Sequence, residues 1–275
     1  KLNKKGDEFM KTYFKIFLPI VIFLNMVVSV MAETPEEKGL RIATEADLDG
    51  KGFKDIIQDM EMILRNAQGE ESIRIFNSKT LEVEGDGDKS IFIFEHPRDV
   101  EGTAVLTFTH KVGPDDQWLY LPALKRVKRI SSDNKSGSFV GSEFAYEDLS
   151  SQEIEKYTYK WIEDVACPGF EEETCYVTED YPVDKSSGYT RRVVWMDQNE
   201  YRIWKIDFYD RKNDLLKTLV FSDYKLYLDQ YWSAHSLKMV NHNTGKETDI
   251  SVKEILYQTG LKDSDFNRQS LKRAR

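Results

Sequence analysis

The sequence predicts a mainly β fold of the α+β class, in which a curved antiparallel sheet forms an incomplete barrel and helices cover its concave side. Short segments rich in β-branched and aromatic residues recur beyond residue 70, and turn residues bound each of them. Short links between successive segments indicate an antiparallel meander. The segments alternate, so one face of the sheet is apolar and aromatic. A sheet of about eleven strands curls on itself, and helices over its open side would bury that face.

The first element is a predicted secretory signal over residues 1–32. A basic head precedes an apolar run at 16–31, and the run leads to Ala32, a small residue suited to cleavage. The alternative is a retained membrane anchor, but a spanning helix needs roughly 20 apolar residues. No cysteine lies near Ala32 to accept a lipid. We therefore expect cleavage after Ala32 and a single mature domain at 33–275, located in the periplasm.

Two helices are predicted at the start of the mature chain. Thr34 followed by Pro35 is an N-cap with proline at the first helical position, which indicates a helix over 35–47. A second helix is predicted near 53–66, before Gly69, because its apolar residues repeat with helical spacing. Those residues are Ile56, Ile57, Met60, Ile63 and Leu64. These two helices are the elements expected over the open side of the sheet.

The remaining chain is predicted to consist of strands joined by turns. Asp86-Gly87 and residues 243–245 have the composition of hairpin turns. Asp263 or Ser264 is suited to cap a last short helix in the polar tail. Strands are predicted near 72–84, 89–95, 103–111, 117–130, 157–166, 173–180, 190–197, 201–210, 214–228, 231–241 and 246–257.

Composition limits the function classes. The formal net charge is −9 at pH 7, and the predicted signal is basic, so the mature part is more acidic still. Such acidity argues against nucleic acid as a partner and against lasting attachment to anionic membranes. We therefore expect a soluble protein whose contact with membranes is transient.

The two cysteines, Cys167 and Cys175, are predicted to form a disulfide. An even cysteine count in an exported chain favours a disulfide, and the short loop between them contains a Pro-Gly pair suited to a turn. Two free thiols are the alternative. No metal site is predicted, because neither cysteine has a histidine nearby. The acidic runs at 47–52 and 84–88 also lack the later oxygen ligands of a calcium loop.

The sequence carries no recognisable catalytic motif. It contains neither HExxH nor GxSxG, and it has no glycine-rich phosphate loop. A hydrolase of envelope lipids would need Glu143, Glu147 or Asp148 inside a polar cleft. We predict that the protein is not an enzyme and has no cofactor.

One long segment, residues 118–149, carries a family resemblance. It contains Tyr-Leu-Pro at 120–122, Arg-Val-Lys-Arg-Ile at 126–130 and Phe-Val-Gly-Ser-Glu-Phe-Ala-Tyr-Glu-Asp-Leu at 139–149. These elements closely resemble the signature of the exported outer-membrane lipoprotein-sorting-like family, relatives of the carriers LolA and LolB. Glu143 stands where Asp is common in that family.

The resemblance implies an incomplete barrel whose hollow holds the acyl chains of a lipid or lipoprotein, carried between the inner and outer membranes. It also implies a partner, an inner-membrane exporter of the RND/MMPL type. The motif residues form a possible partner-contacting or gating segment. They are Arg126, Arg129, Phe139, Gly141, Ser142, Glu143, Phe144, Tyr146, Glu147 and Asp148. The alternative is an accessory subunit of an envelope exporter that has a filled barrel and binds no lipid.

An acyl carrier needs a large apolar surface. Moving a chain of roughly 16 carbons out of water is favourable by about 12 kcal/mol, and flat aromatic rings provide such surface at low entropic cost. For each candidate, ordinary core packing is the alternative, since alternation alone does not say which face lines the hollow. The predicted lining residues are Phe92, Phe94, Leu106, Phe108, Trp118, Tyr120, Tyr159, Trp161, Trp195, Trp204, Ile206, Phe208, Tyr224 and Trp232.

Arg126 and Arg129 have two interpretations. They could contact a lipid phosphate or the acidic residues of a partner. The simpler expectation, which we favour, is that they pair with Glu143, Glu147 or Asp148 and hold the irregular segment on the sheet. That segment, 130–157, is long and lacks predicted strands, a feature that is more often functional or mobile than idle.

Overall fold

The computed structural model describes residues 32–273, in which thirteen strands form one antiparallel sheet. The sheet has two free ends and is not closed into a barrel, so the predicted mainly β class is confirmed. The predicted signal falls almost wholly on residues 1–31, which lie outside the described residues, and cleavage after Ala32 stays a prediction. No helix among the described residues has the length and apolarity needed to cross a membrane.

The sheet is built from two meanders that meet in its centre. The first strand pairs with the last, and each meander runs outward from that pair, so the order is β6-β5-β4-β3-β2-β1-β13-β12-β11-β10-β9-β8-β7. The elements are α1 (Pro35–Asp49), β1 (Asp55–Arg65), β2 (Glu71–Leu81), β3 (Lys89–His96), β4 (Ala104–Phe108), β5 (Asp116–Leu121), β6 (Arg126–Ile130), β7 (Tyr157–Cys167), β8 (Phe170–Pro182), β9 (Tyr189–Asp197), β10 (Ile203–Asp210), β11 (Leu215–Tyr227), β12 (Tyr231–Asn241) and β13 (Glu247–Tyr257).

The first predicted helix is confirmed as α1. The Thr34 side chain accepts from the Glu37 backbone N–H while the Glu37 carboxylate accepts from the Thr34 backbone, which is a complete capping box. The helix lies close against β7. A Cβ added at Gly39 would stand 2.8 Å from the backbone nitrogens of Lys160 and Trp161, so only glycine permits this approach.

The second predicted helix, over 53–66, is wrong, because residues 55–65 form strand β1. Met60 and Met62 are buried on one face of the strand, which is the period-2 pattern of a strand. The apolar residues of this short run also match helical spacing, so the sequence alone does not reveal the strand. Strand β1 hydrogen-bonds to β2 on one side and to β13 on the other. The partner β13 lies almost two hundred residues away, so tertiary pairing overrides the local pattern.

The single strand predicted over 117–130 is also wrong. Pro122–Leu124 form a 3₁₀ turn, and Lys125 adopts a positive φ of 49°. The chain therefore reverses, and Leu121 pairs with Arg126 to make β5 and β6 separate strands. In the tail, where the sequence predicts a short capped helix near Asp263, the chain forms short 3₁₀ turns at Asp263–Asp265 and Ser270–Arg273.

The chain between the two sheet ends, residues 131–156, is named here the inner segment. Its backbone and side chains bond to β2 through Arg74, to β11 through Lys217 and to β13 through Thr248. Residues 146–148 of the segment bond both to β5 and to β9, which lie far apart in the strand order, so the sheet curls around the segment. We call the face that it contacts the inner face and the opposite one the outer face.

The outer face is covered in two places. The C-terminal tail lays Phe266 and Leu271 on Ile91, Ile93 and neighbouring outer-face residues of β3–β6. Beside β10, the predicted disulfide is confirmed: Cys167 and Cys175 are bonded, join β7 to β8 and pack against Trp204.

Candidate ligand-binding hollow

The inner segment does not fill the inner face, and two hollows remain between them. One has a volume of about 480 Å³ and is named the apolar hollow; the other, of about 650 Å³, is named the polar hollow. Both volumes are in the range of small-ligand sites. The two hollows are adjacent, because they share five wall residues: Phe144, Asp148, Ile203, Phe221 and Leu237.

An aromatic cluster forms one wall of the apolar hollow. The ring of Phe139, from the inner segment, lies 5.6 Å from Phe92 and 5.4 Å from Phe94, and Phe94 stacks on Phe76 at 5.2 Å. Met60, Ile250 and Val252 of the central strands add aliphatic surface. This wall can exclude water from a bound hydrocarbon chain.

A buried ion pair lies at the polar hollow. Arg192 of β9 donates to the Asp180 carboxylate of β8 at 3.0 Å, and its guanidinium lies 4.1 Å from the ring centroid of Tyr157. Burial raises the pKa of the Asp180 carboxyl, and the Arg192 guanidinium opposes that rise. The pair places a polar, hydrogen-bonding surface beside the apolar one.

A second buried pair ties the inner segment to the sheet. Lys217 of β11 donates to the Asp148 carboxylate at 2.6 Å and to the Glu143 carbonyl at 2.9 Å. Tyr189 donates to the same Asp148 carboxylate at 2.8 Å. Its neighbour Glu147 accepts from the Gly188 backbone at 2.9 Å, and burial raises the pKa of the Glu147 carboxyl.

The end of the inner segment lies in an acidic cluster that adjoins the polar hollow, since Ser151 lines that hollow. Ser151 accepts from the backbone of Asp88 at 3.3 Å and donates to Glu153 at 2.9 Å. Burial raises the pKa of Asp88 to about 7, and the nearby Glu153 carboxylate contributes. Burial likewise raises the pKa of Glu153. This cluster therefore changes charge near neutral pH.

The structure brings together part of the predicted lining set. Five members line the two hollows: Phe92, Ile206, Phe208, Tyr224 and Trp232. Phe94 and Tyr159 are buried on the inner face, Phe94 in the aromatic cluster and Tyr159 beside Asp180.

The other seven predicted lining residues lie outside both hollows. Four belong to the outer-face cluster under the C-terminal tail: Leu106, Phe108, Trp118 and Tyr120. Trp195 and Trp204 pack with the disulfide, and Trp161 lies under α1, where the Lys38 ammonium is 3.6 Å from its ring centroid. Alternation shows that residues share a face, but which face encloses a hollow depends on what covers it.

The motif residues of the inner segment are mostly buried and bonded. Phe139 and Phe144 are buried, and the Ser142 hydroxyl donates to the Phe139 carbonyl at 2.7 Å. Gly141 has a positive φ of 81°, which glycine accepts without strain. The Glu143 carboxylate accepts from Asn241 at 2.6 Å. Tyr146 packs edge-on against Phe139.

The favoured pairing of Arg126 and Arg129 with these acids is wrong. Both arginines lie on β6, at the free end of the sheet, and Arg129 pairs with Asp116 of the adjacent strand. The acids of the inner segment bond instead to residues of β9, β11 and β12 and to the loop before β9. Arg126 and Arg129 do not brace the inner segment.

Sequence reasoning missed Arg192, Asp180 and Lys217. A signal for two of them exists, because Arg192 shares its face with Val194, and Lys217 shares its face with Leu219. A charged residue on an apolar face of a strand indicates a buried partner. The partners themselves lie on other strands or in the inner segment, so the sequence does not name them.

The curled open sheet with a partly filled inner face defines a LolA-like, carrier-type fold. A family model described as an uncharacterized protein matches residues 86–273. A solved domain from Vibrio parahaemolyticus, described as an outer membrane lipoprotein-sorting protein, is 57% identical with a TM-score of 0.84; the match covers 86% of this chain and 99% of that one. The chain therefore belongs to the outer-membrane lipoprotein-sorting family, and the resemblance read from the motif is confirmed.

Two further solved structures extend the likeness. A DUF1329 family protein from Desulfovibrio piger is 27% identical with a TM-score of 0.80, over 86% of this chain and 99% of that one. A LolA superfamily protein from Nitrosomonas europaea, 18% identical with a TM-score of 0.67, covers 84% of this chain and 98% of that one and shares the fold. A search of curated proteins finds no match.

Proposed function

We propose that this protein is a periplasmic carrier that binds the acyl chains of a lipid or lipoprotein and moves them between the inner and outer membranes. The observation that carries the proposal is the apolar hollow, about 480 Å³ in volume and walled by aromatic and aliphatic side chains. A bound methylene gains about 0.8 kcal/mol when it leaves water. A carrier in an aqueous space must offer such burial.

The polar groups of the hollows support transport rather than catalysis. Asp148 is bonded to Lys217 and Tyr189, and Glu147 is bonded to Ser187 and Gly188. A general acid or base needs a free position toward its substrate, and these carboxylates already hold the inner segment. We therefore propose a carrier without enzyme activity.

The proposed delivery partner is an inner-membrane exporter of the RND/MMPL type. The surface best suited to it is β6, whose Arg126, Lys128 and Arg129 are exposed at the free end of the sheet. An acidic surface of the exporter would complement this basic strand on an otherwise acidic protein.

The test is native mass spectrometry of protein gently extracted from the periplasm, with lipid identification. The carrier proposal expects a co-purifying acyl lipid. Leu237 lies where the two hollows join, so Leu237→Trp should fill the junction and remove the bound lipid. Val220, on the adjacent strand, is 41% exposed, and Val220→Trp is the matched control that should keep the lipid. Wild-type protein that never carries lipid would contradict the proposal.

The second candidate function is an accessory subunit that binds no lipid. The burial of Phe139 and Phe144, which occupy part of the inner face, favours it. This candidate expects lipid-free protein together with recovery of an inner-membrane permease in a pull-down. The same mass spectrometry therefore separates the two functions.

A further inference from the structure

We propose that Arg192 and Tyr159 form a polar anchor that binds an uncharged acceptor oxygen of the acyl ligand, an ester or amide carbonyl, while its hydrocarbon chain lies in the apolar hollow. This inference rests on the proposed carrier function. It adds the position at which the polar end of the ligand is held and the class of chemical group that binds there.

Arg192 is the first member of the anchor. It is only 8% exposed, yet it lines the polar hollow. One terminal nitrogen donates to Asp180 at 3.0 Å, and the face of the guanidinium packs on Tyr157. Among the described residues, its buried Nε–H has no hydrogen-bond partner. A buried donor without a partner is costly, so such a group indicates a missing acceptor.

Tyr159 is the second member. It stands directly opposite Asp180 in the β7–β8 register, and Asp180 stands directly opposite Arg192 in the β8–β9 register. The three side chains therefore form one row across the inner face. The Tyr159 hydroxyl is buried, and its polar neighbour is the side chain of Gln152, which lines the polar hollow.

A second unpartnered group lies at the polar hollow. The Ser150 hydroxyl, from the inner segment, is buried without a hydrogen-bond partner in the described part of the chain, and Ser150 lines the polar hollow with Arg192. The Nε–H can only donate, and both hydroxyls can donate. A ligand that satisfies them must therefore present an acceptor oxygen.

The local charges select an uncharged acceptor. The Arg192 cation is already compensated by Asp180, and the Lys217 cation by Asp148. Glu147 also lines the polar hollow, where its hydrogen bonds come from Ser187 and Gly188, and the nearby Lys135 cation is paired with Asp184. An anionic ligand group would meet this carboxyl. A carbonyl oxygen accepts the same hydrogen bonds without that repulsion.

The two hollows are adjacent, and we place the ligand across both of them. Ile203, Phe221 and Leu237 belong to both walls, so an acyl chain can run from the apolar hollow to the anchor. The carbonyl of an acyl ester or amide lies at the end of its hydrocarbon chain. The geometry thus matches an acylated lipid or lipoprotein better than a free hydrocarbon.

The test measures displacement of a pyrene-labelled alkane from the full mature chain by three competitors of equal chain length: methyl palmitate, hexadecane and palmitate at pH 9. Wild-type protein should bind methyl palmitate on the order of tenfold more tightly than hexadecane, the gain of a typical net hydrogen bond. It should also prefer methyl palmitate to palmitate.

Two variants probe the anchor without removing the buried charge. Arg192→Lys keeps a cation for Asp180 but removes the Nε–H, and Tyr159→Phe removes only the hydroxyl of Tyr159. Each variant should lower the ratio of the affinity for methyl palmitate to the affinity for hexadecane severalfold, and should leave the affinity for hexadecane unchanged. Arg191→Lys and Tyr181→Phe are matched controls, since their side chains pair with Glu179 away from the hollows, and both should bind like wild type.

The outcomes separate this inference from the carrier function. If wild-type protein binds methyl palmitate and hexadecane tightly and with equal affinity, and Tyr159→Phe and Arg192→Lys change neither affinity, the anchor is overturned. The proposed carrier function is then unaffected. A preference for palmitate over its methyl ester overturns the uncharged selectivity. Failure of the alkane probe and of every competitor to bind overturns the carrier function and the anchor with it.

Discussion

The inner and outer faces of the sheet are both apolar, but they are covered in different ways. On the outer face, the C-terminal tail places Phe266 and Leu271 against the sheet, and both are almost completely buried, at 2% and 0% exposure. On the inner face, the inner segment covers the sheet and leaves hollows of about 480 and 650 Å³. The same kind of strand surface thus becomes core on one side and a candidate binding site on the other.

The type of contact explains this difference. The tail docks through apolar side chains, which fill space as they pack. The inner segment buries Phe139 and Phe144 against the sheet, but its other attachments are directed bonds, such as Lys217 to Asp148 and Asn241 to Glu143. Hydrogen bonds set the position of a segment without filling the volume beneath it. A covering held by polar bonds can therefore stay above an apolar surface that a ligand can occupy.

The largest expected effect comes from breaking the buried pair that holds the inner segment. Lys217→Met leaves the Asp148 carboxylate buried without its cation, and we expect a loss of about 3–5 kcal/mol in the free energy of unfolding, measured by urea denaturation. Lys217→Met combined with Asp148→Asn should recover part of it. Lys253, which is exposed and pairs with Glu61, is the control: Lys253→Met should cost about 1 kcal/mol or less. Equal losses at Lys217 and Lys253 would contradict the comparison.

Matched truncations on the two faces give the next effect. Phe139→Ala and Phe266→Ala each remove a buried ring, and each should lower the free energy of unfolding by about 3 kcal/mol. Only Phe139→Ala should change the affinity for a pyrene-labelled acyl probe, because Phe139 lines the apolar hollow. If Phe266→Ala altered probe binding as strongly, the outer face would not be a closed core.

The disulfide gives a smaller effect, and its cluster meets the apolar hollow at Tyr224. Replacing both Cys167 and Cys175 by Ala removes a bond that closes a loop with a sequence separation of 8. The loop-entropy relation predicts a loss of about 2.5 kcal/mol, measured by thermal unfolding. Acyl-probe affinity should stay at the wild-type level at a temperature where both proteins are folded, and a shifted affinity would show that this cluster supports the hollow.

A pH-dependent effect concerns the acidic cluster at the end of the inner segment. The pKa of Asp88 is raised by burial to about 7 in the folded protein, from an ordinary 3.8. Between these values the folded state holds a proton that the unfolded state has lost. Asp88 therefore makes stability fall as pH rises from about 4 to about 7, by at most about 1.4 kcal/mol per pH unit, with no further fall above that range.

Asp88→Asn should remove this contribution. The difference between wild-type and variant unfolding free energies, measured across pH 4–8, should change with pH below about 7 and become constant above it. The difference removes the contribution of carboxyls far from Asp88, while that of the coupled Glu153 stays in it. A difference that did not vary with pH would place the Asp88 carboxyl in solvent rather than in the cluster.

Much of the fold could be predicted because its signals are local. The cap at Thr34, the strand alternation and the turn residues each depend on neighbours a few positions away. The prediction of a helix at residues 55–65 is wrong because their short apolar run matches a helix and a strand equally well. Only pairing with β2 and β13 decides between them. The site was partly predictable through the motif, which marks the inner segment, but Arg192 and Lys217 depend on partners from other elements.

By itself, the sequence determined that the chain forms an antiparallel sheet, begins its folded part with a capped helix, carries a disulfide and belongs to the lipoprotein-sorting family. The tertiary structure alone decided that Phe92 lines a hollow while Trp118 lies under the tail. The physical reason is that alternation assigns residues to one of two faces but not to an environment. The environment is set by whichever distant part of the chain covers that face, and by whether it fills the space or only spans it.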